Sequence, residues 1–312
     1  MDPLTHGVIG GLVALGAGNA VSLSEPAFIA SVLGAMAPDL DIVYHLKGQL
    51  SYLENHRGKS HGPMGLILWS SLVTCFLALF FDDISWQTWV WALIGGISHT
   101  LMDAFNSYGI HFTKPGRSKK ISFNLVQVFD PIILLLGVLG LVYSSPFQAR
   151  LALLAIAGWM VVRYCCRKIG ENKIRTWLSR VKGQQPDKII VMPAMWGLWK
   201  WDFVAEFTSQ YISGSWWMNT DKKVILKEID KVERDIKEKV LETEAGKFFT
   251  LLTPVYAITR ERWQDREAFV LYDLRYLVGD RYLHRATVIL NEQGQPLTQV
   301  IQPFSEQNCI NL

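Results

Sequence analysis

The chain has 312 residues, half of them hydrophobic and 19% charged, with a net charge of +3 and a positive mean hydropathy. Such a composition excludes a disordered chain, which needs few apolar residues and much net charge, and the charge is too small for a nucleic-acid binder. Cys75, Cys165, Cys166 and Cys309 show no paired spacing, so neither a disulfide framework nor a zinc ribbon follows.

Taken in chain order, Met1-Asp2 gives an acidic start rather than the basic one of a signal peptide. Gly7 to Ser24 is uncharged and glycine-rich. Pro26 to Pro38 is also uncharged, but its 13 residues rise only about 20 Å as a helix. A full hairpin and a re-entrant one both satisfy this segment. Residues 62–81 and 84–102 carry no charge and have about the length that crosses a bilayer. Pro131 to Ala149 and Leu151 to Val162 read as a helical hairpin turning at Ser144-Ser145-Pro146. Its second arm extends to Cys166 if Arg163 reaches back to the surface.

If each pair of spans returns the chain to its starting side, residues 1–6, 38–61, 103–130 and 167–186 share one face. That face carries Lys47, Arg57, Lys59, Lys114, Arg117, Lys119, Lys120 and a basic run from Arg163 to Lys182. The three opposite turns hold no Lys or Arg, and positive charge marks the cytoplasmic side.

Beyond the linker Gly183-Gln184-Gln185-Pro186, residues 188–217 are rich in Trp and broken by Gly and Pro, the pattern of short strands. From Asp221 to Glu244, Ile225, Ile229, Val232, Ile236 and Val240 fall at three- and four-residue steps, which predicts an amphipathic helix. FVLYDLRYLVG and ATVILNEQGQPLTQVI read as strands, the second as a hairpin about Glu292–Pro296. Tryptophans 196, 199, 201, 216 and 217 suit either a lipid interface or the core of a small sheet. The expected architecture is mainly α: a polytopic membrane bundle of about five to six hydrophobic helices over residues 1–182, then a small α+β cytoplasmic domain over 187–312.

Six of the seven histidines lie in the first 111 residues: His6, His45, His56, His61, His99 and His111. His99 and Asp103 are four apart, on one face of a helix near its end, where an imidazole and a carboxylate can share a divalent ion. A plain His–Asp hydrogen bond is the alternative. Asp39 and Asp41 flank Leu40 straight after an apolar stretch, where unpaired carboxylates are costly, and a carboxylate between two ions can bridge them. His56-Arg57-Gly58-Lys59-Ser60-His61 gathers two imidazoles and a guanidinium immediately before an apolar stretch. There is no HExxH, GxSxG, Walker or GxGxxG motif, so metal-activated water is the chemistry left.

DPLTHG, PDLD, HRGKSH, SHTLMDAFNSYG and FDP resemble, in order, the motifs of the YdjM-like membrane-bound metal-dependent hydrolases, over about residues 1–170. The C-terminal extension resembles the YfhP-type subset. The resemblance implies a divalent-metal hydrolase of the bacterial inner membrane, akin to the zinc-dependent phospholipase C fold. It marks His6, Asp39, Asp41, His56, His61, His99 and Asp103 as metal ligands, with Asp130 as a further member. His45 and His111 lie outside these motifs. The expected cofactor is one to three divalent ions, zinc first. Asp41 is expected to accept a proton from water, and Arg57 to steady developing negative charge on a phosphoester or lipid substrate. The lipid bilayer is the expected partner, no nucleic acid is expected, and a homo-oligomer is left open. Two rivals belong to other classes: an ion- or proton-coupled transporter, and a membrane scaffold or regulator whose metal site is structural.

Overall fold

This computed structural model of the protein describes the chain except residues 50, 52–57, 111–119, 264, 265, 292 and 305–307. The chain falls into two compact units, Met1–Cys165 and Cys166–Leu312.

Proline opens most helices of the first unit, since its missing N–H is harmless in a first turn. Helix α1 runs Pro3–Gly16 and α2 Pro26–Met36, the latter continuing as a 3-10 helix over Ala37–Lys47. A single 3-10 turn, Lys59–His61, leads into α3 (Pro63–Leu77). Then follow α4 (Trp86–Phe105), α5 (Pro131–Val142) and α6 (Pro146–Lys182). Helices α1, α2 and α4 meet through small residues, the packing that lets backbones touch. A side chain at Gly34 would overlap the Ala92 carbonyl, and one at Gly95 the Ser31 carbonyl. The Ser31 hydroxyl donates to the Gly10 carbonyl at 2.7 Å. Leu12, Leu15, Val126, Ile133 and Ile156 form a core beside these contacts.

Two helices among the described residues are long and apolar enough to cross a membrane: Pro26–Tyr44, which joins α2 to its 3-10 extension, and Pro146–Lys182. This overturns the expected bundle of five to six spans. Helices α1, α3 and α5 are apolar but have 14, 15 and 12 residues. They rise only about 18–23 Å against a hydrocarbon core of roughly 30 Å. An uncharged stretch is not a helix of equal length: residues 62–81 carry no charge, yet α3 stops at Leu77. Helix α4 has 20 residues, but Gln87, Thr88, Ser98, His99, Thr100 and Asp103 dilute its hydropathy. The unit does expose apolar side chains, including Leu68, Leu72 and Phe76 on α3, Leu135 on α5 and Leu154 on α6.

The second unit is mostly β-sheet, which corrects the expected small α+β domain. Strands β1 (Lys188–Pro193), β2 (Lys200–Glu206), β3 (Gln210–Trp217) and β4 (Lys222–Asp230) form an antiparallel meander. Two short helices follow, α7 (Arg234–Glu242) and α8 (Glu244–Leu252). Strands β5 (Tyr256–Trp263), β6 (Arg266–Asp273), β9 (His284–Leu290), β10 (Pro296–Pro303) and β11 (Ile310–Asn311) make a second sheet in the order β11-β10-β9-β6-β5. The ribbon β7 (Leu277–Val278) and β8 (Arg281–Tyr282) lies between β6 and β9 in sequence. The hairpin expected about residues 292–296 is present as β9–β10. The helix expected over 221–244 is not: Lys222–Asp230 pairs with β3 instead, and helix is confined to Arg234–Glu242 and the start of α8 at Glu244. Ile225 and Ile229 are four apart, a step that suits a period of two as well as 3.6, and β-branched Val224, Ile225 and Ile229 favour the strand. Trp201, Phe203, Phe207, Ile212 and Trp216 form a core with Ile174 and Leu178 of the helix.

Candidate metal centre

Four side chains from three elements converge in the first unit. Asp39 comes from the 3-10 extension of α2, His61 from the 3-10 turn before α3, and His99 and Asp103 from the last turns of α4. Each offers one ligand atom, and all four atoms lie within 4.8 Å of one another. His61, His99 and Asp103 are fully buried, whereas Asp39 keeps 14% of its side chain exposed.

The close packing at Gly34 and Gly95 places this cluster. It brings α4 against α2 so that His99 Nδ1 meets the Ala35 carbonyl at 2.7 Å. A carbonyl only accepts, so Nδ1 carries the proton and Nε2 of the neutral ring holds a lone pair. His61 follows the same logic. The Ser60 hydroxyl donates to Asp41 Oδ2 at 2.8 Å, which leaves its oxygen to accept from His61 Nδ1 at 2.9 Å. His61 Nε2 therefore also presents a lone pair. The two Nε2 atoms face each other at 3.0 Å, and neither can donate to the other. Burial, the largest influence on both, holds His6 and His99 below the ordinary histidine pKa. Both lie outside the two helices long enough to span a membrane. They stay neutral near pH 7, the state that binds a metal.

The spacing fits a small divalent ion. Nitrogen and oxygen ligands about 2.0–2.2 Å from a tetrahedral ion lie roughly 3.3–3.6 Å apart. His99 Nε2 is 3.5 Å from Asp39 Oδ1 and 3.9 Å from Asp103 Oδ2; His61 Nε2 is 3.8 and 3.7 Å from the same atoms. With the 3.0 Å imidazole pair, five of the six edges lie within a few tenths of an ångström of a tetrahedral site, and the sixth, between the two carboxylates, lies within 4.8 Å.

The remaining expected residues fall in different places. His6 stacks on His99 with ring centroids 3.7 Å apart, and its Nε2 lies 3.3 Å from Asp103 Oδ1. The α-amino group of Met1 contacts the same carboxylate oxygen and lies 2.8 Å from His6 Nε2. Asp41 is buried behind His61, beside Nδ1 rather than Nε2. Asp130 caps α5, accepting from the backbone N–H of Ile132 and Ile133, and receives the Trp159 indole N–H at 3.3 Å. It stands outside the four-residue group. His56 and Arg57 lie outside the described residues.

Three supporting contacts escaped the sequence reading. Ser60 couples Asp41 to His61, the Asn106 amide donates to Asp103 Oδ1 at 2.9 Å, and Thr100 donates to the His61 carbonyl at 3.3 Å. Ser60 and Asn106 both sit inside the quoted motifs, so their position was a signal. The Ala35 carbonyl is backbone and had none.

A model of the YdjM inner membrane protein family matches residues 1–172. The chain belongs to that family. The four converging residues and their supports all lie within the YdjM-matched region. The chain is also 28% identical over 298 residues to an uncharacterised protein, YfhP, of Bacillus subtilis (strain 168), covering 90% of this chain and 89% of that one. No solved structure matches it.

Proposed function

We propose that this YdjM-family protein is a zinc-dependent hydrolase of the inner membrane that cleaves a phosphoester, one carried by a lipid. The observation behind the metal site is the pair of Nε2 lone pairs facing each other at 3.0 Å between two carboxylates. Two imidazoles and two carboxylates suit zinc by ligand type. When bound, such an ion lowers the pKa of water and polarises the ester under attack.

The chain's own residues then divide the work. Asp39 is the one member of the four that solvent reaches, with 14% of its side chain exposed, and it receives the proton of the attacking water. Asp41 lies beside His61 Nδ1, on the other side of the ring from the nitrogen that faces the group. It acts as a positioning residue, holding the His61 tautomer through Ser60. Arg57, on sequence grounds, steadies the negative charge that develops on the phosphoryl oxygens as water adds to phosphorus and the alcohol leaves. The basic run Arg167, Lys168, Lys173, Arg175, Arg180 and Lys182 at the end of α6 supports a cytoplasmic C-terminal unit.

One observation favours a second reading. Four protein ligands, three of them fully buried, also describe a closed structural zinc site. The two readings separate in a screen of lipid and bis-nitrophenyl phosphodiesters with purified protein before and after chelation. Chelator-sensitive turnover that Asp39→Asn removes while zinc stays bound supports the hydrolase. Zinc content with no turnover on any ester supports the structural site.

A further inference from the structure

Four of the five tryptophans of residues 196–217 part into two groups, with Trp217 half-buried between them. Trp201 and Trp216 are fully buried in the sheet core, whereas Trp196 is 80% exposed and Trp199 42%. The exposed pair occupies the β1–β2 connection with Met195, itself exposed, and Leu198. This tip is held by backbone bonds. The Ala194 N–H donates to the Lys200 carbonyl, the Lys200 N–H to the Gly197 carbonyl, and the Met218 N–H of the neighbouring β3–β4 turn to the Trp199 carbonyl, at 3.1, 3.1 and 2.9 Å. Gly197, at φ +96°, makes the reversal that a residue with a side chain resists.

Positive charge gathers at the same end of the sheet. Lys200 and Lys222 sit over the Trp217 ring at 5.2 and 5.6 Å. Lys223 and Lys173 reach Asp221, and Lys200 lies 4.0 Å from Asp202. Four lysines thus stand against two aspartates. A fixed turn that shows Met195 and two indoles to solvent beside lysines matches the headgroup layer of an anionic bilayer. Indoles settle at that depth, lysine stems lie along apolar surface, and the ammonium groups meet anionic lipid. A protein groove would account for the apolar tip but not for the lysines beside it, and the chain belongs to an inner membrane family.

We propose that the β1–β2 tip, with Trp196 and Trp199 as anchors and Lys200 and Lys222 as the charged collar, docks the C-terminal unit on the surface of an anionic lipid bilayer. The inference does not depend on the metal centre.

The test uses the full chain with Cys75, Cys165, Cys166 and Cys309 replaced by serine. A single label goes in through Trp196→Cys, or through Ser209→Cys in the β2–β3 turn at the opposite end of the sheet. Each protein is reconstituted in phosphatidylethanolamine–phosphatidylglycerol vesicles. The label at 196 should be quenched by brominated acyl chains and lose its quenching by aqueous iodide, while the label at 209 behaves the opposite way. Replacing phosphatidylglycerol with phosphatidylcholine should restore iodide quenching at 196. Equal iodide quenching at the two sites overturns the proposal. Protection from iodide without quenching by brominated lipid also overturns it, because a protein then covers the tip. A chain that keeps its cysteines gives an independent reading: Trp196→Phe with Trp199→Phe should reduce quenching of intrinsic fluorescence by brominated lipid, and unchanged quenching contradicts the anchor.

Discussion

The two units each bury a carboxylate beside nitrogen-bearing side chains, and they treat it differently. In the second unit Asp273 accepts from Arg275 Nε at 2.9 Å, Arg275 Nη2 at 2.7 Å, the Arg275 backbone N–H at 3.1 Å and the Thr253 hydroxyl at 3.0 Å. Every contact pairs a donor with an acceptor. In the first unit the hydrogen bonds of His61 and His99 are spent on their outer nitrogens, and two acceptor nitrogens are turned toward each other and toward two carboxylates. A network that is complete by itself is a fastening. One that aims acceptors at a common point is a socket for a cation.

This contrast can be broken most severely by removing a socket ligand. His99→Ala should abolish stoichiometric metal in the purified protein and make its thermal unfolding indifferent to chelator. The fastening should respond in the opposite sense. Asp273→Ala leaves the Arg275 charge buried without its carboxylate and should cost about 3–5 kcal/mol, read by denaturant unfolding. Its metal content should match that of the unaltered protein. If Asp273→Ala also lost the metal, the two networks would not be independent.

The expected residues show where sequence alone could and could not see this. His99 and Asp103 were legible because a spacing of four on a helix leaves little choice of geometry. Asp39 and His61 were legible as members of charged motifs bordering apolar stretches. That Asp41 stands behind His61 was not, because the side of a ring on which a carboxylate sits depends on backbone turns of non-helical chain. The number of spans was misjudged because lack of charge limits where a helix can run without saying where it ends. The strand over Lys222–Asp230 was misread because its pairing with β3 is non-local, and tertiary pairing outweighed a helical spacing.

A gentler change sharpens the comparison. Ser60→Ala removes the hydroxyl that relays Asp41 to His61 Nδ1 but leaves all four ligands in place. It should weaken metal affinity by roughly 10–100-fold, measured by competition with a chromophoric chelator. No change would mean that Ser60 does not set the His61 tautomer.

The fastening should also show itself in acid, where the difference between variants shrinks. Burial pushes the Asp273 carboxyl up, but the Arg275 guanidinium and its hydrogen bonds outweigh it and leave the pKa below the ordinary 3.8. With the folded value depressed, the stabilisation is complete above the unfolded value and is lost as pH falls through the folded one. An acid-unfolding curve of Asp273→Asn should therefore lie close to that of the unaltered protein at the lowest pH and separate from it above about pH 4.

The most direct measurement is X-ray absorption at the metal edge of the full chain purified in detergent. The account predicts zinc with two imidazole nitrogens and carboxylate oxygens, and loss of one imidazole contribution in His61→Gln. A metal-free protein that cannot be loaded, or a shell with sulfur or a single imidazole, contradicts it.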